Sequence, residues 1–63
     1  MLTVYTKNNC FPCTMTKRKL QELGATYQEI NIDEDLSALN YLMECGFRSL
    51  PVVYLDDEPI ITG

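Results

Sequence analysis

A run of β-branched and aromatic residues over positions 2–6 opens the chain and predicts a first strand. A polar break follows, and Asn9 or Cys10 is placed to cap a helix that runs to about residue 23 and ends at Gly24. Pro12 suits the first turn of that helix, where its missing N–H removes no hydrogen bond. Helical spacing directs Cys13, Thr16, Leu20 and Leu23 toward the core, and Lys17, Arg18, Gln21 and Glu22 toward water.

Partial alternation over residues 26–32 predicts a second strand, so that strand, helix and strand form a right-handed parallel βαβ unit. An acidic turn at residues 33–35 precedes a second helix and suits the positive end of its dipole. That helix is expected to end near Cys45. Its predicted apolar face comprises Leu36, Leu39, Leu42 and Met43.

Two further strands, over residues 52–55 and 58–61, flank a turn at Asp56-Asp57 and predict a β-hairpin. The order β-α-β-α-β-β indicates one α/β domain over residues 1–63, with a four-stranded mixed sheet. Two helices leave part of one sheet face bare, although apolar strands need both faces covered. We therefore expect either that a last helix is absent from this chain, so that the domain is truncated at its C-terminus, or that something else supplies that helix.

Charge is distributed unevenly along the chain, whose net charge is −4. Of its five basic residues only Arg48 lies after position 20, whereas all nine acidic residues lie there. This balance disfavours nucleic acid as a partner, because phosphate binding needs an excess of positive charge. The basic residues form either an ordinary solvated helix face or an electropositive surface around the first two cysteines. They are Lys7, Lys17, Arg18, Lys19 and Arg48.

The sequence also bears on location. No signal-peptide pattern and no apolar run long enough to span a bilayer is visible, so no membrane attachment is expected. The chain has three cysteines, and an odd number argues against a secreted disulfide scaffold. The expected location is therefore the cytoplasm.

The segment Cys10-Phe11-Pro12-Cys13 carries the chemistry. Two cysteines three residues apart at a helix start can close a small disulfide ring, with Cys10 near the helix N-terminus. There the N–H groups and the helix dipole favour the thiolate, which is the attacking species in disulfide exchange, and Lys7 acts in the same direction. Cys10 is therefore expected to attack a substrate disulfide. Cys13, deeper in the helix, is expected to attack the mixed disulfide and release the reduced substrate.

Other interpretations of these residues stay open at this stage. A structural zinc needs four ligands, and the chain has no histidine and only Cys45 besides the pair, so no metal site within one chain is expected. A metal or cluster shared between two chains is a non-catalytic alternative. Cys45 is expected to be a small buried residue at a helix end, with a regulatory thiol as the alternative. Pro51 is either a strand-start proline or a cis-proline lying against the cysteine pair.

Several short segments together resemble the NrdH-type redoxins, which are glutaredoxin-like in sequence and thioredoxin-like in behaviour. The resemblance covers nearly the whole chain. Its motifs are Thr3-Val4-Tyr5-Thr6-Lys7, Asn9-Cys10, Cys13 with Thr16-Lys17-Arg18, Glu29-Ile30-Asn31-Ile32-Asp33, Gly46-Phe47-Arg48 and Leu50-Pro51-Val52-Val53. The resemblance implies a thioredoxin fold in which Cys10 is the nucleophile and Cys13 the resolving thiol. It also implies that Pro51 is cis and shapes a substrate groove with Leu50.

The same resemblance implies the partners. Electrons are expected to pass from NADPH through thioredoxin reductase to this chain, and onward to a class Ib ribonucleotide reductase. No cofactor is expected beyond the redox-active cysteine pair, and the protein is expected to be a monomer. Lys7 and Arg48, with the basic helix residues, give the hypothesis that an acidic tail of a protein partner docks beside the site.

Two features distinguish this chain from related redoxins. Phe11 and Pro12, which are expected to contact the substrate, stand where the NrdH-type redoxins usually have Val-Gln or Met-Gln, and a proline before the second cysteine resembles thioredoxin itself. Glutathione-dependent glutaredoxins, the nearest alternative family, usually have a Gly-Gly pair where this chain has Thr62-Gly63. The threonine favours the NrdH interpretation and leaves glutathione as the alternative electron donor.

Overall fold

The structure, a computed structural model, describes residues 1–62 and contains the predicted elements in the predicted order. In chain order they are β1 (Leu2–Thr6), α1 (Phe11–Glu22), β2 (Tyr27–Asn31), α2 (Leu36–Glu44), β3 (Val52–Leu55) and β4 (Glu58–Thr62). The strands form one sheet in the order β2-β1-β3-β4. β1 is parallel to β2 and antiparallel to β3, and β3 is antiparallel to β4, so the predicted mixed sheet is confirmed. No helix within residues 1–62 is long and apolar enough to cross a membrane.

The register of the strands assigns the side chains to two faces of the sheet. Val4 lies beside Glu29 of β2 and opposite Val53 of β3, so these three side chains share one face. Helix α1 covers this face, because the ammonium group of Lys17 reaches the carboxylate of Glu29 at 3.0 Å. The side chains of β1 that alternate with Val4 point to the opposite face.

Helix α2 covers that opposite face and closes the main part of the core. Leu42 of α2 packs against Val52 and Tyr54 of β3, and all three side chains are buried. The ring of Tyr5 meets the ring of Tyr54 edge to face, with centroids 5.7 Å apart, a geometry that adds about 0.5–1.5 kcal/mol beyond the burial of area. The partly buried side chains around this cluster are Tyr5, Ile32, Phe47 and Leu50.

Both helices begin at a side-chain cap and end at a glycine. Cys10 caps α1, and the carboxylate of Asp35 caps α2 by accepting a hydrogen bond from the N–H of Ala38 at 3.1 Å. Gly24 follows α1 with a φ angle of +71°, and Gly46 follows α2 with a φ angle of +85°. This left-handed conformation lets the last carbonyl groups of each helix accept hydrogen bonds from the departing chain. The predicted helix end at Gly24 is confirmed.

Three side chains that helical spacing assigned to the core are exposed, and for these the prediction is wrong. Leu23 lies beyond the last residue of α1. In α2 the buried side chains are Ala38 and Leu42, four residues apart on one stripe of the helix. Each residue of an α-helix is rotated by about 100° from the one before it. Leu36 and Met43 therefore lie about 100° or more around the helix axis from that stripe, and both side chains are exposed to solvent.

The prediction for Cys45 is also wrong, because its side chain is exposed. Cys45 is the C-terminal cap of α2, and its backbone N–H donates to the carbonyl group of Tyr41 at 3.0 Å. The chain then turns at Gly46. The side chain is solvent-exposed where the helix ends, although its thiol interacts with the hydroxyl group of Tyr54 and contributes to the raised pKa of that group.

Candidate redox site

The two cysteines of the motif lie at the N-terminus of α1 and are joined as a disulfide. Cys10 precedes the first helical residue, and its Sγ atom accepts a hydrogen bond from the N–H of Cys13 at 3.2 Å. Cys10 is 8% exposed and Cys13 is 2% exposed, so the second sulfur lies deeper than the first. The arrangement suits a pair in which the outer sulfur meets a partner and the inner one closes the ring.

The electrostatics of the helix start favour a negative charge on the Cys10 sulfur. Free N–H groups and the positive end of the dipole meet there, and no acidic side chain lies in the first turn of α1. Lys7 adds an exposed cation in the loop between β1 and α1. Both features favour the thiolate form of Cys10 once the disulfide is reduced, and the thiolate is the reactive form.

The side chains between and beside the cysteines form the outer surface of the site. Phe11 is 74% exposed in the first turn of α1, and Pro12 beside it is also exposed. An exposed aromatic ring next to a reactive sulfur offers a contact surface for a protein partner. In the loop before β3, Pro51 is buried, Leu50 is half-buried, and the peptide bond between them is cis, as the resemblance implied.

Lys7, Arg48 and Leu50 lie around one pocket of about 330 Å³, although they are distant in the sequence. Leu39 and Phe47 contribute to its apolar wall. The pocket therefore combines an apolar interior with two cationic groups. The remaining residues that line it are Ile32, Leu42, Met43 and Ser49, while Phe11, Pro12 and Pro51 lie outside it.

A polar network between β1, β2 and α1 escaped the sequence analysis. The hydroxyl group of Thr6, which is 1% exposed, donates to Glu29 Oε2 at 2.8 Å, and Lys17 Nζ lies 3.0 Å from the same oxygen. The hydrogen bond from Thr6, followed by that from Lys17, lowers the pKa of the Glu29 carboxyl below its ordinary value. Lys17 is thus half-buried and paired, which corrects the expectation that it faces water. The sequence did hold a signal for this: Lys17 follows Cys13 by four residues, a spacing that places both side chains on the same face of α1.

The opposite face of the sheet carries a tyrosine pair away from the disulfide. The hydroxyl groups of Tyr41 and Tyr54 are 3.0 Å apart, and the hydrogen bond between them, with burial, strongly raises the pKa of Tyr54. Burial likewise raises the pKa of Tyr5, whose ring packs against both. Tyr5 and Tyr54 therefore stay protonated at neutral pH, and the three rings contribute to the packing of α2 on the sheet.

Comparison with known protein families identifies the family to which this chain belongs. The family model named Glutaredoxin matches residues 2–60. The chain belongs to the glutaredoxin family. Within the family it is similar to Glutaredoxin-like protein NrdH of Lactococcus lactis subsp. cremoris, with 47% identity over 57 residues, 90% of this chain and 79% of that protein. It is similar to Glutaredoxin-like protein NrdH of Escherichia coli strain K12, with 41% identity over 56 residues, 89% of this chain and 69% of that protein.

Solved structures agree with this membership. The glutaredoxin-like protein NrdH-redoxin from Escherichia coli superimposes with a TM-score of 0.89 and 38% identity, over 97% of this chain and 80% of that one. The thioredoxin-like protein BC3987 superimposes with a TM-score of 0.88 and 31% identity, over all of this chain and 86% of that one. The thioredoxin-like fold expected from the sequence is confirmed, and the chain is an NrdH-type redoxin.

Membership in this group makes the chain a thiol–disulfide redoxin, and the Cys10–Cys13 disulfide is its redox-active pair. Among residues 1–62, no group of three or more histidine, cysteine or acidic side chains is arranged to hold a metal ion. Gly63, half of the Thr62-Gly63 pair compared above with the glutaredoxin glycines, lies outside the described residues.

Proposed function

We propose that this redoxin is a dithiol electron carrier that thioredoxin reductase reduces and that in turn reduces a ribonucleotide reductase. The observation that carries the proposal is the arrangement of the pair, with Cys10 at the cap of α1 and Cys13 buried behind it. The solved Escherichia coli relative is described as having a thioredoxin-like activity profile, which supports a thioredoxin-like rather than a glutathione-based donor for this chain. The proposed setting is the cytoplasm, with the protein acting as a monomer.

The proposed reaction has two exchange steps. In the reduced protein the Cys10 thiolate attacks one sulfur of a substrate disulfide, a new bond forms between Cys10 and that sulfur, and the other substrate sulfur leaves as a thiolate that takes up a proton. Cys13 then loses its proton to solvent and attacks Cys10 Sγ. The Cys10–Cys13 bond forms, the bond to the substrate breaks, and the second substrate thiolate leaves and is protonated. Two electrons pass to the substrate.

The surface around the cysteines is proposed to hold the substrate polypeptide during both steps. Phe11 and Pro12 are exposed next to Cys10, which suits contact with a partner chain. Leu50 and Pro51 are proposed to form the other side of the groove. Lys7 and Arg48 are the charges proposed to attract acidic side chains of the partner, an effect that added salt weakens.

Glutathione is the second candidate electron donor, and the pocket gives a specific reason to test it. Lys7 and Arg48 flank an apolar pocket of about 330 Å³, and two cations of this kind can attract the carboxylates of glutathione. The two donors lead to the same oxidised and reduced states of the cysteine pair. They differ only in the reductant that regenerates the dithiol.

The test is NADPH consumption with a disulfide substrate in two parallel reducing systems. One contains thioredoxin reductase, and the other contains glutathione with glutathione reductase. We expect turnover with thioredoxin reductase, loss of turnover in Cys10→Ser, and wild-type turnover in the matched control Cys45→Ser. Turnover only with glutathione would assign the chain to the glutathione-dependent members, and turnover in neither system with a folded protein would contradict an oxidoreductase role. Visible absorption of the purified protein would reveal a bridging iron–sulfur cluster.

A further inference from the structure

A set of hydrogen bonds holds the loop that leads from β1 to Cys10. The carboxylate of Asp33 accepts a hydrogen bond from the backbone N–H of Asn8 at 2.8 Å. The side-chain nitrogen of Asn31 donates to Asn8 Oδ1 at 3.0 Å, and the side-chain oxygen of Asn31 accepts from the backbone N–H of Asp33 at 2.8 Å. Asn8 is thus held through both its backbone and its side chain. This arrangement of Asn8, Asn31 and Asp33 is named the Asn8 clamp below.

The pairing of the first two strands brings the members of the Asn8 clamp together. β1 runs parallel to β2 with Thr6 beside Asn31, and the N–H of Ile32 donates to the carbonyl group of Thr6 at 2.8 Å. The two strands therefore end side by side, so that the residues after β1 meet the residues after β2. Both polar ends of the Asn31 amide have a partner, which fixes the orientation of that side chain.

The Asn8 clamp lies two residues before Cys10 in the chain. Between them, Asn9 has a φ angle of +56°, in the left-handed region that few residues other than glycine adopt. Cys10 has φ and ψ angles of −106° and 100°, the extended conformation of an N-cap residue. Residues 7–10 belong to no helix or strand, so no helix or strand ladder imposes these angles. A loop released at Asn8 would populate other conformations of Asn9, and these would take the Cys10 sulfur away from the N–H of Cys13.

We propose that Asn31 and Asp33 are positioning residues for disulfide exchange, because by holding Asn8 they keep the sulfur of reduced Cys10 at the N-cap of α1, where it reacts as a thiolate. Both residues act through Asn8 and through the short connection from Asn8 to Cys10. This inference rests on the proposed function, since it concerns the attack of Cys10 in the first exchange step.

The proposal gives Asp33 an effect opposite to that of its charge. A carboxylate near a thiolate disfavours the thiolate by repulsion, whereas the hydrogen bond that Asp33 accepts from Asn8 favours it by holding the loop. Asp33 is exposed, so water and salt screen its charge, and the hydrogen bond is the larger effect. Loss of the Asp33 side chain should therefore make Cys10 less reactive, although it removes a negative charge.

Other charged groups in the elements around this loop stay unchanged in the test, apart from one control. The first turn of α1 holds no acidic residue. The groups are Lys7 in the loop itself, Glu34 in the turn after β2, Arg48 before β3, and the Lys17–Glu29 ion pair under α1.

The test measures the rate at which iodoacetamide alkylates Cys10 as a function of pH, a reaction in which the thiolate sulfur bonds to the acetamide carbon and iodide leaves. Every protein carries Cys13→Ser and Cys45→Ser, so that Cys10 is the only thiol. We expect Asn31→Ala and Asp33→Ala to raise the pH midpoint, so that the rate at about pH 6 falls about threefold or more, as for the loss of one hydrogen bond. The plateau rate at high pH, where all of Cys10 is thiolate, should not fall.

Three further variants separate the Asn8 clamp from charge and from general destabilisation. Asp33→Asn keeps an oxygen that can accept from the N–H of Asn8, and it should not raise the midpoint. Glu34→Ala removes a carboxylate from the same turn, and Asn40→Ala removes an exposed amide from α2. Neither side chain belongs to the Asn8 clamp, and neither variant should raise the midpoint. Circular dichroism verifies that each protein is folded, and the two Asp33 variants decide the question if Asn31→Ala is not.

Several results would overturn the inference. They are a midpoint that is unchanged or lower in Asp33→Ala, a rise in Asp33→Asn equal to that in Asp33→Ala, or a parent midpoint at the ordinary thiol value of about 8.5. The NADPH assay with the cysteine pair intact tests the proposed function separately. A chain without turnover in either reducing system fails as a redoxin, whereas a chain that turns over but shows no rise in the midpoint fails only this inference.

Discussion

The Sγ atom of Cys10 accepts a hydrogen bond from the backbone N–H of Cys13 at a distance of 3.2 Å. The donor is one of the N–H groups that the first turn of a helix leaves without a carbonyl partner. A thiolate is a stronger acceptor than a disulfide sulfur, so the same contact is expected to favour the charged form of Cys10 after reduction. The exchange chemistry of this redoxin is thus tied to the place where α1 begins.

This geometry predicts that the two cysteines fail in different ways when replaced. Cys13→Ser should attack 5,5′-dithiobis(2-nitrobenzoic acid) through Cys10 and retain thionitrobenzoate as a stable mixed disulfide, because no thiol remains to resolve it. Cys10→Ser should form no such adduct at the helix start, since Cys13 is buried. Mass spectrometry of both variants in a Cys45→Ser background provides the measurement. Equal labelling of the two variants would contradict the assigned roles.

The exposure of Phe11 predicts that its side chain matters for the reduction of protein disulfides but not of small disulfides. The ring is 74% exposed, so Phe11→Ala should leave the free energy of unfolding within about 0.5 kcal/mol. Loss of a ring that packs against a partner polypeptide should nevertheless lower kcat/KM for a protein disulfide by about fivefold or more, equivalent to the loss of about 1 kcal/mol or more that is typical of an interface anchor. The rate with a small aromatic disulfide should stay near the wild-type value. Met15→Ala, at another exposed position of α1, is the matched control and should leave both rates unchanged.

The ion pair under α1 predicts a pH dependence of stability. The pKa of Glu29 is lowered in the folded protein from an ordinary value of 4.5, so its contribution to stability is complete above that value and is lost as pH falls through the folded pKa. Glu29→Gln should therefore lose less stability than the wild type between about pH 5 and pH 3. Urea denaturation of the oxidised protein at several pH values gives the comparison. Glu58→Gln removes the same charge from β4 and should retain the full acid dependence, and an identical loss in Glu29→Gln would refute the prediction.

The cap of α2 predicts a loss of stability that depends on position rather than on charge. Asp35→Ala removes the carboxylate that accepts from the N–H of Ala38, and it should lower the free energy of unfolding by about 1 kcal/mol. Glu34→Ala, one residue earlier, removes the same charge without removing a helix cap and should cost less than about 0.5 kcal/mol. Because α2 covers one face of the sheet, its stability is coupled to the whole domain. Equal midpoints for the two variants in urea would show that Asp35 acts only through its charge.

Local features of this protein were predictable from the sequence because residues near one another in the chain determine them. Backbone preferences and short-range spacing account for the strand at residues 2–6, the helix that Cys10 caps and that ends before Gly24, and the turn between β3 and β4. The redox pair belongs to this class, since two cysteines three residues apart at a helix start need no distant residue to meet.

Only the tertiary structure decided the features that depend on which surfaces meet. Helical spacing predicted that α2 has an apolar face but not which side chains pack on the sheet. In the structure Ala38 and Leu42 are buried, whereas Leu36 and Met43 are exposed to solvent. Cys45 was expected to be buried, but its side chain is exposed at the end of α2 while its thiol interacts with Tyr54 of β3. Thr6, Lys17 and Glu29 meet because parallel pairing sets β2 beside β1 under α1, and Lys7 and Arg48 meet at one pocket for the same kind of reason. Contacts between residues far apart in the chain depend on register and helix orientation, which no short segment of sequence encodes by itself.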